Sequence, residues 1–179
     1  MKIDKTNLDG FYIIALEPYS DARGKFIKTF NKDLFLDLGL KTNFSESYFS
    51  ISKRNVLRGL HFQQPPAEHT KLVFLTQGSI FDVVVDLRSS STSYGQYSIV
   101  DLDSNDFKML YIPEGFAHGF YTKSEQATVV YMTTTIHSPA NDCGIRWDSL
   151  EIPWPTKTPL ISDKDKKLVM FEKFKSPFY

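Results

Sequence analysis

A single cysteine, Cys143, occurs in 179 residues, so the chain has no intrachain disulfide framework and no cysteine-rich zinc site. One free thiol also fits a reducing compartment. No apolar run reaches the roughly 18 residues that span a bilayer. The opening MKIDKTNLDG lacks the apolar stretch of a secretory signal, so the expected location is the cytoplasm. Neither charge sign is in excess: 21 Lys and Arg balance 21 Asp and Glu, for a formal net charge of 0. There is thus no global basic field to draw nucleic acid or an anionic membrane, and no partner of either kind is expected. A phosphate on any ligand has to be met by locally placed cations. Glycine and proline, nine each, fall singly at turns, with no repeat, linker or low-complexity tract.

Alanine is scarce at six, whereas Thr, Ile, Val, Phe, Tyr and Trp make up a third of the chain. That composition favours strands. The length suits one domain over residues 1–179, large enough to bury its own core.

Short strands are predicted at Phe11–Leu16 and Phe26–Phe30, around the turn chemistry of Ser20-Asp21-Ala22-Arg23-Gly24. Asn31 can cap a short helix ending at Leu38, with Gly39 at the left-handed position after it. The segment 44–52 alternates, which puts Phe44, Glu46, Tyr48, Ser50 and Ser52 on one face. Further strands are predicted at Tyr97–Leu102, Phe107–Ile112, Gly119–Thr122 and Thr128–Ile136. The segment Trp147–Pro159 reads as irregular. Ser162 and Asp165 have capping-box spacing before a second short helix. Many short strands with little helix predict a sandwich, jelly roll or barrel.

The strongest local signal is KLVFLTQGSIFDVVVDL, residues 71–87. Gln77-Gly78 between two apolar runs predicts a two-residue hairpin. That register opposes Val73 to Asp82 and Lys71 to Val84, placing Lys71, Val73, Asp82, Val84 and Asp86 on one face. Charges among valines point to a lined cavity, because a buried charge needs a partner or a ligand.

Several residues could carry chemistry, each with a structural alternative. His61 in LRGLHFQ is either a packed histidine or a general base, since imidazole accepts protons near neutral pH. Arg58 beside it can clamp a phosphate. Lys71 and Asp82 form either an ion pair or a site in which the lysine meets an oxyanion. His118 in IPEGFAHGF can line a cavity or ligate a metal. The histidines (His61, His69, His118 and His137) show no H-x-H or H-E-x-x-H spacing, so a metal would need scattered ligands. Tyr131 is a core tyrosine or a proton donor. Asp165 caps a helix or orients a histidine, and Lys164 is a solvated or ligand-facing charge.

DARGKF, SKRNVLRGLHFQQPP, KLVFLTQGSIFDVVVDLRSSSTSYG, YIPEGFAHGF, VVYMTTT, GIRWDS, IPWP and ISDKD occur in this order. Over residues 1–177 the chain resembles the nucleotide-sugar 3,5-epimerases typified by dTDP-4-dehydrorhamnose 3,5-epimerase. The resemblance implies an all-β, cupin-type jelly roll that works without a metal or other cofactor. It also implies a homodimer in which an arm of each subunit lines its partner's site. The implied substrate is a nucleotide-diphosphate-linked 4-keto-6-deoxy sugar, used in making deoxysugars for surface polysaccharide. By motif, His61 removes the proton beside the ketone with Asp165 as its dyad partner. Lys71 stabilises the enolate and Tyr131 reprotonates from the opposite face. His118 and Asp82 form a second polar pair near the sugar, and Arg23, Arg58 and Lys164 hold the diphosphate or sugar.

The sequence departs from the family in a cluster of positions. Lys28 stands where the family has Glu, and Glu46 and Tyr48 stand for its Gln and Asn. Ile136 and His137 replace a tyrosine pair, and Asp142 replaces a Glu. Lys donates hydrogen bonds where a carboxylate accepts them. The exchange at Lys28 and Glu46 therefore predicts altered base recognition, with cytosine or guanine in place of thymine, and His137 predicts altered sugar stacking. Other readings of the same fold are an epimerase that stops after C3 and a 3,4-ketoisomerase. Two further readings are a metal-dependent cupin oxygenase using His61, Glu68, His69 and His118, and a noncatalytic sugar-nucleotide binder.

Overall fold

The computed structural model describes residues 1–179. The strands, in chain order, begin with β1 (Lys2–Lys5), β2 (Tyr12–Ala15), β3 (Pro18–Asp21) and β4 (Gly24–Ile27). After the helix α1 (Lys32–Asp37) come β5 (Glu46–Lys53), β6 (Leu57–Gln63), β7 (Lys71–Gln77) and β8 (Ser79–Asp86). They continue with β9 (Tyr97–Asp103), β10 (Lys108–Ile112), β11 (Phe116–Thr122), β12 (Gln126–Thr133) and β13 (Asp142–Gly144). The helix α2 (Asp163–Lys166) and one 3₁₀ turn follow. A six-stranded sheet, ordered β1-β2-β10-β7-β12-β5, faces a five-stranded sheet, ordered β13-β6-β11-β8-β9. All these pairings are antiparallel, giving the cupin-type jelly roll that the family resemblance implies and that is one of the all-β architectures the strand pattern allows.

The interior between the sheets holds Val73, Ile80, Val84, Leu110, Phe120 and Val129 among others. The outer face of the six-stranded sheet is also covered. Leu72, Phe74 and Met109 pack there with Phe35 of α1. Behind the five-stranded sheet, Val83 and Val85 pack with Ile145, Ile152 and Phe178 of the irregular C-terminal segment. Residues 72–74 and 83–85 are therefore buried on both faces, which is why their sequence is continuously apolar.

That double burial defeats the expected hairpin. β7 and β8 lie in different sheets and do not pair with each other. β7 is held between β10 and β12, and β8 between β9 and β11, so long-range partners occupy both edges of each strand. Gly78, at φ +79, turns the chain from one sheet to the other, and a Cβ there would sit 2.1 Å from the Gln126 carbonyl. The inward direction of Val73, Asp82 and Val84 survives, because both strands still present that alternate set to the interior. Asp86 is buried too, but it serves a local network with Arg88, Ser91 and Ser93.

Other expectations shift at their ends. The second strand runs Gly24–Ile27 rather than to Phe30, and the last long strand stops at Thr133. Asn31 caps α1 by accepting from the Asp33 and Leu34 amides, and Gly39 adopts φ +70. No helix is long and apolar enough to cross a membrane.

Candidate active site

A cavity of about 780 Å³ opens between the inner faces of the two sheets, within the range of small-molecule sites. His61, Lys71, His118, Tyr131 and Asp165 all line it.

The five-stranded sheet contributes the histidines. β6 and β11 approach closely at Gly59 and Gly119, where a Cβ on Gly59 would lie 2.5 Å from the Gly119 Cα. In this register His61 and His118 are direct cross-strand partners, followed by a bulge. Each ring has its own carboxylate. His61 Nε2 lies 2.7 Å from Asp165 Oδ1, and His118 Nε2 lies 2.8 Å from Asp82 Oδ2. An ionised carboxylate only accepts, so Nε2 of His61 carries the proton and Nδ1 keeps its lone pair. No protein group bonds that Nδ1.

Asp165 is fixed from several directions. Ser162 Oγ accepts from its amide at 3.0 Å, and the Gly59 amide donates to its Oδ2 at 3.3 Å. The predicted capping box is thus only half made, because the Asp165 carboxylate reaches His61 instead of turning back to residue 162. Burial pushes the Asp165 carboxyl upward, but the hydrogen bond and charge of His61, with the Gly59 amide and Ser162, outweigh it and hold the group below its ordinary value.

The six-stranded sheet faces these histidines with Lys71 and Tyr131. Lys71 is buried, and its Nζ donates to the His61 carbonyl at 3.3 Å. Burial pushes its pKa down to about 8, against the pull of Asp142 and Asp82. Tyr131 is buried with its hydroxyl 3.4 Å from Ser50 Oγ. Desolvation first, then the charge of Asp82 and, where Tyr48 ionises at high pH, that phenolate, raise its pKa above the ordinary phenol value, against the pull of Ser50 and Arg58. The phenol therefore stays protonated at neutral pH. The Tyr131 ring meets His118 edge-on at 6.3 Å.

Around this centre lie the remaining cavity residues. Arg58 Nε donates to Ser52 Oγ at 2.9 Å, which aims its guanidinium. Glu46 Oε2 accepts from the His137 amide at 2.9 Å. Lys164 pairs with Asp142. Tyr48, Glu46, His137, Asp142 and Lys164 all line the cavity.

Arg23 and Lys28 do not. Arg23 sits at the tip of the β3–β4 hairpin, bonded to Asp21 at 2.6 Å with a side chain 90% exposed, and Lys28 follows that hairpin on the exposed surface. The two hairpin strands pair only with each other.

Three supporting residues went unassigned by sequence reasoning. Ser50 and Ser52 belong to the recognised alternating face, but a serine there carries no signal of which side chain it will orient. Gln63 donates to Nδ1 of His69 at 3.2 Å, which leaves the proton of that neutral ring on Nε2. Burial, then Lys71 and His137, push the His69 pKa down to about 3. The residues of the oxygenase alternative, His61, Glu68, His69 and His118, form no ligating group of three or more.

Comparison with known proteins places this arrangement. Residues 5–173 match the family model described as dTDP-4-dehydrorhamnose 3,5-epimerase. A dTDP-4-dehydrorhamnose 3,5-epimerase of Methanothermobacter thermautotrophicus is 44% identical over 167 residues, covering 90% of each chain. A dTDP-4-dehydrorhamnose 3-epimerase of Streptomyces niveus is 34% identical, covering 95% of this chain and 84% of its own. The crystal structure of a dTDP-6-deoxy-D-glucose-3,5-epimerase from Legionella pneumophila, in complex with dTDP-4-keto-L-rhamnose, superposes with a TM-score of 0.94. It is 34% identical and covers 99% of this chain and 98% of that one. The chain belongs to the dTDP-4-dehydrorhamnose 3,5-epimerase family.

Proposed function

We propose that this cavity inverts the carbons beside the ketone of a nucleotide-diphosphate-linked 4-keto-6-deoxy sugar, working through an enolate. The observation that carries this reading is the opposition of the two sheets, with an oriented imidazole on one and a protonated phenol on the other, and the Lys71 ammonium reaching from the phenol's sheet to the His61 carbonyl. Inversion next to a ketone needs a base on one face of the ring and an acid on the other, and these groups supply both.

His61 Nδ1 takes the C–H proton while Asp165 holds the resulting imidazolium. The electron pair moves into the ketone, whose oxygen gathers negative charge beside Lys71 Nζ. Tyr131 then delivers its proton to the opposite face of the same carbon. Each proton transfer of this kind is worth about 10²–10⁴-fold. The ketone is its own electron sink, so the reaction as written draws on no cofactor. Arg58 and Lys164 are the cations available for the diphosphate, with the His118–Asp82 pair against the sugar.

The working assembly in this proposal is a cytoplasmic homodimer of one-domain subunits. Support comes from the projecting β3–β4 hairpin, whose Tyr19 and Phe26 are 70% and 65% exposed with nothing of their own chain to cover them. Seated on a second copy, the hairpin would bring Arg23 and Lys28 to that copy's cavity. Sedimentation at the mass of one chain would remove this part.

The test is incubation in D₂O with dTDP-, CDP- and GDP-linked 4-keto-6-deoxyglucose, reading deuterium and configuration at C3 and C5. The names of the relatives support dTDP, whereas Glu46 and Lys28 support a base with the reversed hydrogen-bond pattern. Better turnover of the dTDP sugar than of the other two would end the altered-base reading. Label at C3 alone would make the enzyme a 3-epimerase. A protein that only binds, or a ketoisomerase that leaves C5 alone and moves the carbonyl, is told apart by the same spectra. In Tyr131→Phe, inverted product is expected to fall about 10²-fold while the first exchange is impaired less. Equal losses in both would remove Tyr131 as the donor.

A further inference from the structure

Tyr131 and Tyr48 are directly opposed across the β12–β5 pair, and their rings stack with centroids 4.8 Å apart and planes 17° from parallel. β5 is the edge strand of its sheet, so no further strand pairs beyond Tyr48, which is 43% exposed. On the other side the strand neighbour of Tyr131 is Val73, which is fully buried and fixed in the core. The Tyr131 ring thus lies with Val73 as its strand neighbour on one side and the stacked Tyr48 ring on the other, while His118 meets it only edge-on at 6.3 Å. Its hydroxyl has a single, long protein contact, to Ser50 at 3.4 Å, too weak to set the ring's orientation.

We infer that Tyr48 is a positioning residue for Tyr131: by stacking on its ring it holds the phenol toward the substrate, and so sets how often an abstracted proton is replaced from the opposite face. The inference rests on the epimerase reading of the cavity and adds to it a determinant of inversion against simple return of the proton. When Tyr131 is misdirected, His61 still abstracts and can return a solvent-derived proton to the same face, giving exchange with retained configuration. Burial in the cavity, with the charges of Glu46 and Asp142, pushes the Tyr48 hydroxyl up to about 12. At neutral pH Tyr48 is therefore a protonated, uncharged ring that does not compete as a base.

The measurement is the number of inverted centres per carbon-bound deuterium when the dTDP-linked 4-keto-6-deoxy sugar turns over in D₂O. This ratio is insensitive to a general loss of active protein. An aromatic pair of this geometry corresponds to roughly a 3- to 10-fold change. Tyr48→Asn is expected to lower the ratio by that factor, and Tyr48→Leu to lower it as well, because bulk without a planar face does not stack. Tyr48→Phe, which keeps the ring, is expected to restore the wild-type ratio. An unchanged ratio in Tyr48→Asn or in Tyr48→Leu would overturn the inference even if turnover fell. So would a low ratio in Tyr48→Phe, which would assign the effect to the hydroxyl. If Tyr48→Asn does not fold, the Leu and Phe pair decides. Wild-type protein that introduces deuterium from D₂O into none of the nucleotide sugars would overturn the epimerase reading itself, a result distinct from an unchanged ratio.

Discussion

Replacing His61 with alanine is expected to abolish deuterium exchange at both C3 and C5, a loss of about 10³-fold or more. The size follows from the absence of a substitute. His118, the cross-strand neighbour, is almost fully buried with Nε2 bonded to Asp82. His69 is held neutral with its Nδ1 already accepting from Gln63, and burial first, then Lys71 and His137, disfavour its protonation. Neither ring can take over proton removal without rebuilding its hydrogen bonds. Asp165→Asn provides a second test of the same point. An amide can donate to Nε2 of His61, moving the ring proton to Nδ1 and removing the lone pair that faces the substrate. Its expected loss is of similar order, on the order of 10²–10⁴-fold, with the fold intact. Full exchange in His61→Ala, read by NMR in D₂O, would show that another group removes the proton.

Which parts of this site could be read from the chain depends on how local their causes are. The Asn31 cap, the Gly39 turn and the Ser162 cap are settled by a few neighbouring residues, and each appears where the sequence puts it. The alternation of Glu46, Tyr48 and Ser50 likewise needs only the two-residue period of a strand, and all three reach the cavity, whereas Phe44, expected on the same face, lies before β5 begins and packs with Phe30 and Phe35 instead. Lys71 and Asp82 announced an unusual interior because charge among valines is costly wherever the strand lies. The pairing of residues 71–87 was another matter. A strand buried on both faces has no polar side to show which partner it takes, so the local turn signal of Gln77-Gly78 suggested a hairpin where the chain in fact changes sheet. The Tyr48–Tyr131 stack depends on a register between segments more than 80 residues apart, which no local pattern encodes. Asp165 reaches His61 across 104 positions, and only the family motif connected them beforehand. Arg23 and Lys28 lie outside this chain's cavity because the segment carrying them projects from the body of the molecule.

The second large effect is expected at Lys71. Lys71→Met keeps the length and apolar stem of the side chain but removes the charge beside the forming enolate, and kcat is expected to fall about 10²–10³-fold. The same residue should shape the pH profile. The form that stabilises an oxyanion is the ammonium, and burial has brought its pKa down to about 8. The charged form is therefore complete well below that value and lost as pH rises through it. kcat/KM reports groups of the free enzyme, so it should decline tenfold per unit above about pH 8 when Lys71 is the only group titrating there. Lys71→Arg places a guanidinium that stays protonated throughout this range, and the alkaline decline should vanish even where the overall rate drops. An alkaline limb near pH 8 that persists unchanged in Lys71→Arg would assign the titration to another group. The role in enolate stabilisation is decided by Lys71→Met: an undiminished kcat there would pass it to Arg58 or the His118–Asp82 pair, the polar groups left in the cavity.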